Sequence, residues 1–594
     1  MCGLAGELNR HGPPDLEGLR RMSGALAPRG PDGSGLWHEG GAALAHRRLK
    51  VIDLSSSASQ PMVDAELGLV TAFNGCIYNH RELRAELERE GYAFHSRSDT
   101  EVIAKALHRW GPREFASHLL GMFAFAVVDP RSGRTVLARD RLGIKPLYLT
   151  DPEPGVTRFA STLPALLAGG GVATEIDPVA LHHYLSFHSV VPAPRTILRT
   201  VRRLEPATVL VVEADGTCQS HCYWAPDYRR DELRADWSPG DWAAATKAAL
   251  ALAVRRRMLA DVPVGVLLSG GLDSSLIVAL LAEQGQSSLA TFSIGFEAAG
   301  GRSGDEFEYS NLIAREFETD HHCIRISGDR LLDALTGAIA AMSEPMVSHD
   351  VVAFHLLSQE VSRHVKVVQS GQGADEVFAG YEWYPPLAEV EACGDEVYAR
   401  EFIDRTAAES AAMVVPELRC CGDPSRELIA RSFAADGAAT ALDRALRLDG
   451  LVMLVDDPVK RVDNMTMAFG VEARTPFLDH QLVELAAVCP PELKLADGGK
   501  GPLKQLARGL LPDSVIDRPK SYFPVPALTH LEGEVLELVY DAASERSVRA
   551  RGIFDVAHVS ALAADPNGHR TTLGGSKLWQ VALLELWLRA HVDG

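Results

Sequence analysis

The sequence predicts an α/β protein of two domains, the second built on a doubly wound parallel sheet, and three observations predict it. The chain has 594 residues, more than one hydrophobic core usually serves. Beyond residue 242, apolar runs at 264–268, 290–296 and 365–370 alternate with segments of helical periodicity, as parallel strands and their crossover helices do. The first run meets a glycine turn, Ser269-Gly270-Gly271-Leu272-Asp273-Ser274-Ser275. Apolar residues at Leu276, Ile277, Leu280 and Leu281 then predict a helix over 276–283.

That strand, turn and helix make a phosphate cradle. Gly270 and Gly271 let the backbone approach an anion, Ser269, Ser274 and Ser275 supply hydroxyls, and the helix start presents N–H groups and a positive dipole end. Asp273 adds a carboxylate where a hydrated magnesium ion bridging phosphates is expected. A Walker A loop would need a Lys after the glycines, and a dinucleotide fingerprint would need G-x-G-x-x-G; both are absent. The string resembles instead the PP-loop motif, S-G-G-x-D-S, of enzymes that cleave ATP between its α and β phosphates to adenylate a substrate. Leu268 and Ile294, at neighbouring strand ends, are expected to border the nucleotide, because ligands of such sheets collect there.

Composition narrows the class. A net charge of −20 argues against a nucleic-acid partner. No apolar run approaches the ~18 residues of a membrane span, and the first residues show no basic-then-apolar secretory pattern. The nine cysteines lack a C-x-x-C spacing. A cytoplasmic, reducing environment is expected.

The first two hundred residues carry a second chemistry. With Met1 removed, Cys2 holds a thiol and a free α-amine of nearly matched pKa, so one residue is both nucleophile and base. Behind it come, in order, Arg29-Gly30-Pro31-Asp32, His46-Arg47-Arg48, Asn74-Gly75-Cys76-Ile77-Tyr78-Asn79, Arg97-Ser98-Asp99-Thr100-Glu101 and Arg139-Asp140-Arg141-Leu142-Gly143. This series resembles the class II glutamine amidotransferase domain, an N-terminal-nucleophile glutaminase with two antiparallel sheets between helices. The resemblance implies that Cys2 attacks the glutamine amide and that Asn74 and the N–H of Gly75 form the oxyanion hole. It further implies that Arg48 holds the substrate carboxylate and Asp99 its amine. Many relatives have Glu where this chain has Cys76, which is expected to be a small buried residue.

The domains are placed at 1–225 and 242–594, with a polar, breaker-rich linker at 226–241. A second signature, Ser370-Gly371-Gln372-Gly373-Ala374-Asp375-Glu376, resembles a loop of the glutamine-dependent asparagine synthetase family. The resemblance implies that Ser370, Gly371, Gln372 and Gly373 make room for ATP and that Asp273 and Asp375 share Mg²⁺. It also implies catalytic roles for Glu344, as the proton acceptor when ammonia attacks, and for Lys520, beside the phosphates. Both halves together imply a glutamine-dependent ligase: glutamine, ATP and a carboxylic acid as its small-molecule partners, no membrane, and ammonia passed internally. A homodimer is compatible with this reading. Several strings depart from asparagine-making relatives, among them Ser348-His349-Asp350, Gln372 and Tyr522-Phe523. They resemble the branch that amidates N-acetylglutaminylglutamine, with aspartate as the alternative acceptor.

Overall fold

The computed structural model describes residues 2–296, 307–327, 330–390, 393–518 and 530–593. Its first half holds two six-stranded antiparallel sheets. In one, the order is Val201–Arg203, Tyr148–Glu153, Val156–Ala160, Gly3–Asn9, Ala42–Arg48 and Gly33–Glu39. In the other it is Cys218–Cys222, Thr208–Val212, Arg134–Arg139, Gly121–Asp129, Val70–Ile77 and Met62–Val63.

The strands alternate in a way that explains the layering. On Gly121–Asp129, Ala124, Ala126 and Val128 join Leu4, Leu44, Val70 and Leu149 between the sheets. Phe123, Phe125 and Val127, on the other face, pack against Leu83, Leu87, Val102 and Ile103 of the helices His80–Arg89 and Thr100–His118. A strand apolar on both faces must be covered on both, and here a sheet covers one and helices the other. On the opposite side, helices Leu16–Ala25, Leu163–Gly169 and Pro178–Ser186 cover the first sheet, completing the expected helix–sheet–sheet–helix stack.

The second half centres on a five-stranded parallel sheet ordered Asp320–Ile326, Ala290–Phe296, Val264–Leu267, Val367–Gln369 and Glu472–Arg474. Chain order reverses between Val264–Leu267 and Val367–Gln369. Crevices at such switch points hold ligands, and both predicted nucleotide loops leave the carboxyl ends of these two strands. The strand at 290–296 falls where the sequence placed it, while the helix after the glycine turn spans Leu272–Glu283 and so starts earlier than predicted. Helix Pro239–Arg256 also starts inside the stretch read as linker, because Ser238 and Asp241 form a reciprocal cap.

The halves are joined by polar contacts, of which those to Asp463 are buried. Lys366 meets Asp32 at 2.8 Å, Arg29 and Lys145 meet Asp463 at 2.9 and 3.2 Å, and Trp224 donates to Glu484 at 2.7 Å. No described helix is long and apolar enough to cross a membrane.

Candidate active sites

Cys2 is buried at the head of the Gly3–Asn9 strand. Its backbone N–H donates to Asn74 Oδ1 at 2.9 Å, which fixes the Asn74 amide so that Nδ2 is the outward donor. That Nδ2 is buried and has no partner among the described residues. A buried donor left unpaired costs stability, and an oxyanion-hole donor is one group that tolerates the cost for function. Gly75 follows on the same strand. A Cβ there would lie 2.1 Å from Met122 O and 2.7 Å from Phe123 Cα, so only glycine fits.

Arg48 and Asp99 are both buried beside this strand. Arg48 donates to the carbonyls of Ser55 at 2.9 Å, Ile52 at 3.4 Å and Asp53. These bonds fix the guanidinium plane. Asp99 accepts from Ile77 N at 3.0 Å, and burial raises its carboxyl. Burial likewise pushes the Cys2 thiol up, which makes an adjacent base necessary. Cys76 is buried, with its thiol raised by burial, and accepts from Arg474 Nη2 at 3.8 Å. Its burial matches the small buried residue expected there.

Two residues of the second half reach this site. Glu472 and Arg474, on the edge strand of the parallel sheet, form a fully buried ion pair at 2.6 Å. Burial alone would raise the Glu472 carboxyl, but the Arg474 guanidinium holds it at about 2. Nothing local in Glu-Ala-Arg signals a partner almost four hundred residues away.

The second site is a cavity of about 1540 Å³. Leu268, Ser269, Gly271, Asp273, Ser274, Ile294, Ser370, Gly371, Gln372, Gly373 and Asp375 all line it. Gly270 shapes the loop from behind, at φ +76, where a Cβ would lie 2.5 Å from Ser310 N. Ser275 is wholly buried and does not line the cavity, so of the three serines Ser269 and Ser274 face it. They are 3.2 Å apart, Oγ to Oγ.

Asp273 and Asp375 do converge, and a residue the sequence reading missed marks the point. Lys500 Nζ lies 2.7 Å from Asp273 and 2.8 Å from Asp375. Burial would lower the ammonium, yet the two carboxylates raise it above its ordinary value and keep it charged. The signal was the string Gly498-Gly499-Lys500, a lysine delivered after two glycines and itself at φ 58.

Of the remaining predicted residues, one lies away from this cavity and one lies outside the described residues. Glu344 is buried at the junction of the halves, where it meets Arg203 at 3.3 Å, accepts from Tyr148 OH at 3.2 Å and Ile197 N at 3.3 Å, and faces Lys460 at 4.0 Å. It is absent from the cavity lining. A carboxylate buried this deeply needs cationic partners, and the first half supplies Arg203. Lys520 lies outside the described residues, as do Tyr522 and Phe523.

The rest of the wall extends away from the phosphate loops. Tyr381 and Trp383 stack at 4.1 Å, and Trp383 Nε1 and Tyr384 OH donate to the buried Asp449 at 3.3 and 2.6 Å. His188, with φ 48 and Nδ1 3.6 Å from Asp404, enters this wall from the first half. A single apolar cluster joins the two sites, running from Cys76, Tyr78, Met122 and Ile144 to Leu268, Leu272, Ala374 and Leu478.

The profile of the asparagine synthase family matches residues 245–589, and that of the glutamine amidotransferase domain matches residues 1–224. The chain belongs to the asparagine synthase family. This family member is 30% identical to asparagine synthetase [glutamine-hydrolyzing] 1 of Bacillus subtilis, across 100% of its own length and 97% of the relative's. Asparagine synthetase B [glutamine-hydrolyzing] of Escherichia coli is 29% identical over 84% of this chain and 78% of the relative. The amidase chry2 of Gibberella zeae is 26% identical over 93% of each.

Proposed function

We propose that the chain is an ATP-dependent carbon–nitrogen ligase that takes its nitrogen from glutamine. The observation that carries this reading is the presence, in one chain, of a buried Cys2 beside an unpaired amide donor and of a phosphate loop beside two converging carboxylates. Cys2 Sγ attacks the glutamine side-chain carbonyl and its own freed amine takes the thiol proton. The developing oxyanion meets Asn74 Nδ2 and the Gly75 N–H. Arg48 and Asp99 hold the substrate's carboxylate and amine. Collapse of the tetrahedral intermediate passes the proton held by the Cys2 amine to the leaving nitrogen, so ammonia departs and a Cys2 thioester remains. Water then hydrolyses the thioester, releasing glutamate and restoring the thiol. Free in water the ammonia would mostly protonate, so the apolar cluster between the sites is the route we assign to it.

At the second site the acceptor carboxylate displaces pyrophosphate from the α-phosphorus of ATP. Ammonia then attacks the acyl-adenylate, giving the amide and AMP. Asp273 and Asp375 fit a magnesium ion that takes most of its ligands from phosphate, as such ions commonly do; that ion would neutralise charge on the leaving pyrophosphate. Among the described residues no group of three or more His, Cys, Asp or Glu gathers to hold a metal alone. Lys500 shares the carboxylate pair and offers its ammonium to the phosphates. Lys520 remains a proposed phosphate contact. With Glu344 engaged at the domain junction, we assign it to holding the halves together. All nine cysteines are free thiols, which suits a reducing cytoplasm.

The acceptor we favour is N-acetylglutaminylglutamine. Support comes from the departures at Cys76, Gln372 and Ser348-His349-Asp350, and from a cavity larger than the roughly 300–1,000 Å³ usual for a small-molecule site, with an aromatic wall beyond the phosphate loops. The names of the relatives favour aspartate as the second reading. Enzyme, glutamine and MgATP incubated with each acid will decide: we expect faster AMP formation with the dipeptide, and equal or faster turnover of aspartate would reverse the choice.

A further inference from the structure

The helix Lys460–Met467 touches both sites. From one face Arg461 lines the nucleotide cavity, where it donates to Ser348 Oγ and to Asp457 at 3.1 Å. From another, Asp463 reaches into the first half and pairs with Arg29 Nη1 at 2.9 Å and Lys145 Nζ at 3.2 Å, all three groups being buried. Arg29 in turn donates from Nε to the carbonyl oxygen of Cys2 at 3.3 Å. Asn464, next along the helix, accepts from Ser343 N at 2.6 Å and so ties the helix to the loop after Leu331–Ala341 that carries Glu344. The glutamine site therefore has a wall it does not itself encode.

We propose that Asp463 is a positioning residue for Cys2: by holding Arg29 it fixes the backbone of the nucleophile, so glutamine hydrolysis depends on the seating of a synthetase-half helix. The inference rests on the reading of Cys2 as the glutamine-hydrolysing nucleophile. Without the Asp463 carboxylate, Arg29 and Lys145 would be two buried cations close together, and Arg29 would turn away from the Cys2 carbonyl. Small displacements of a nucleophile are costly to rate, up to ~10²-fold for 1 Å. The wall formed by Arg48 and Asp99 would be untouched.

The test measures glutamine hydrolysis and ammonium-driven AMP formation side by side in the full-length enzyme, in the wild type, Asp463→Asn, Asp463→Glu and Arg29→Lys. We expect Asp463→Asn and Arg29→Lys to lower kcat for hydrolysis roughly ten- to hundred-fold, with KM for glutamine and ammonium-driven synthesis little changed. Asp463→Glu should restore most of the loss. Wild-type hydrolysis rates in Asp463→Asn would overturn the proposal, and so would an equal fall of both activities, since that marks a merely structural residue. Should Asp463→Asn fold poorly, Arg29→Lys alone decides between the same outcomes. Absence of glutaminase activity in the wild type would instead defeat the reading of Cys2.

Discussion

The two sites differ in how they are enclosed. Around Cys2 each predicted group is buried and pinned: Arg48 by three carbonyls, Asp99 by a backbone N–H, Asn74 by Cys2 itself. The synthetase site is a broad cavity whose charged centre is one lysine between two aspartates. The difference teaches what each must do. A glutaminase handles one small zwitterion in one pose, so preorganised walls serve it. A synthetase must admit a nucleotide and an acid and later release three products, so its walls stand apart and its specificity lies in what lines the far side.

Independence of the two chemistries is the first thing to break. Cys2→Ala should reduce glutamine hydrolysis by on the order of 10⁴-fold or more, as removal of a nucleophile does, and leave synthesis from added ammonium intact. Residual glutaminase activity would mean that the nucleophile lies elsewhere. The next pair of variants sharpens the contrast. Asn74→Ala should cost about 10²–10³ in the glutaminase kcat, the usual worth of one oxyanion donor, and spare AMP formation from ammonium. Lys500→Met should do the reverse by a similar factor, and a shared loss of both activities in either variant would contradict the separation.

Glu344→Gln tests the junction between the regions. If Glu344 serves Arg203 and Tyr148, the variant should lose about 3 kcal/mol of stability, the scale of breaking a buried pair, measured by chemical unfolding. Its ammonium-driven synthesis should fall less than ten-fold, whereas loss of a proton acceptor costs about 10²–10⁴.

The smallest effect is set by pH. His46, on the strand that carries Arg48, donates from Nε2 to Phe73 O at 2.9 Å, and burial lowers its pKa to about 3. Because this value is depressed below the unfolded one, the associated stability is present above pH ~6.5 and is lost as pH falls towards 3. At pH 5 the loss should be about 2 kcal/mol. A His46→Gln variant, which cannot titrate, should show a correspondingly flatter stability profile between pH 7 and 5.

Much of this was legible in the sequence because phosphate loops are local. Ser269 to Ser274 and Ser370 to Asp375 each carry strand end, turn and helix start within seven residues, so the switch-point crevice could be anticipated from two short strings. Cys2, Asn74 and Asp99 were legible only through an ordered series of motifs, since the antiparallel pairing that gathers them is non-local. What escaped was set by partners across the domain junction. Glu344 reads as a proton acceptor, and nothing in its own string signals Arg203, far back in the chain, with which it pairs. Asp463, Glu472 and Arg474 read like scaffold until their contacts with Arg29 and Cys76 are seen. Lys500 sits on no element that periodicity could reveal.

The central claim is that nitrogen released at Cys2 is consumed at the synthetase cavity without passing through solvent. Synthesis from amide-¹⁵N glutamine, run in unlabelled ammonium with an ammonium-scavenging enzyme present, measures this directly. The account predicts an amide product carrying ¹⁵N from glutamine at a rate the scavenger does not change. A product whose label falls to that of the bulk ammonium pool, or whose formation the scavenger abolishes, would contradict it.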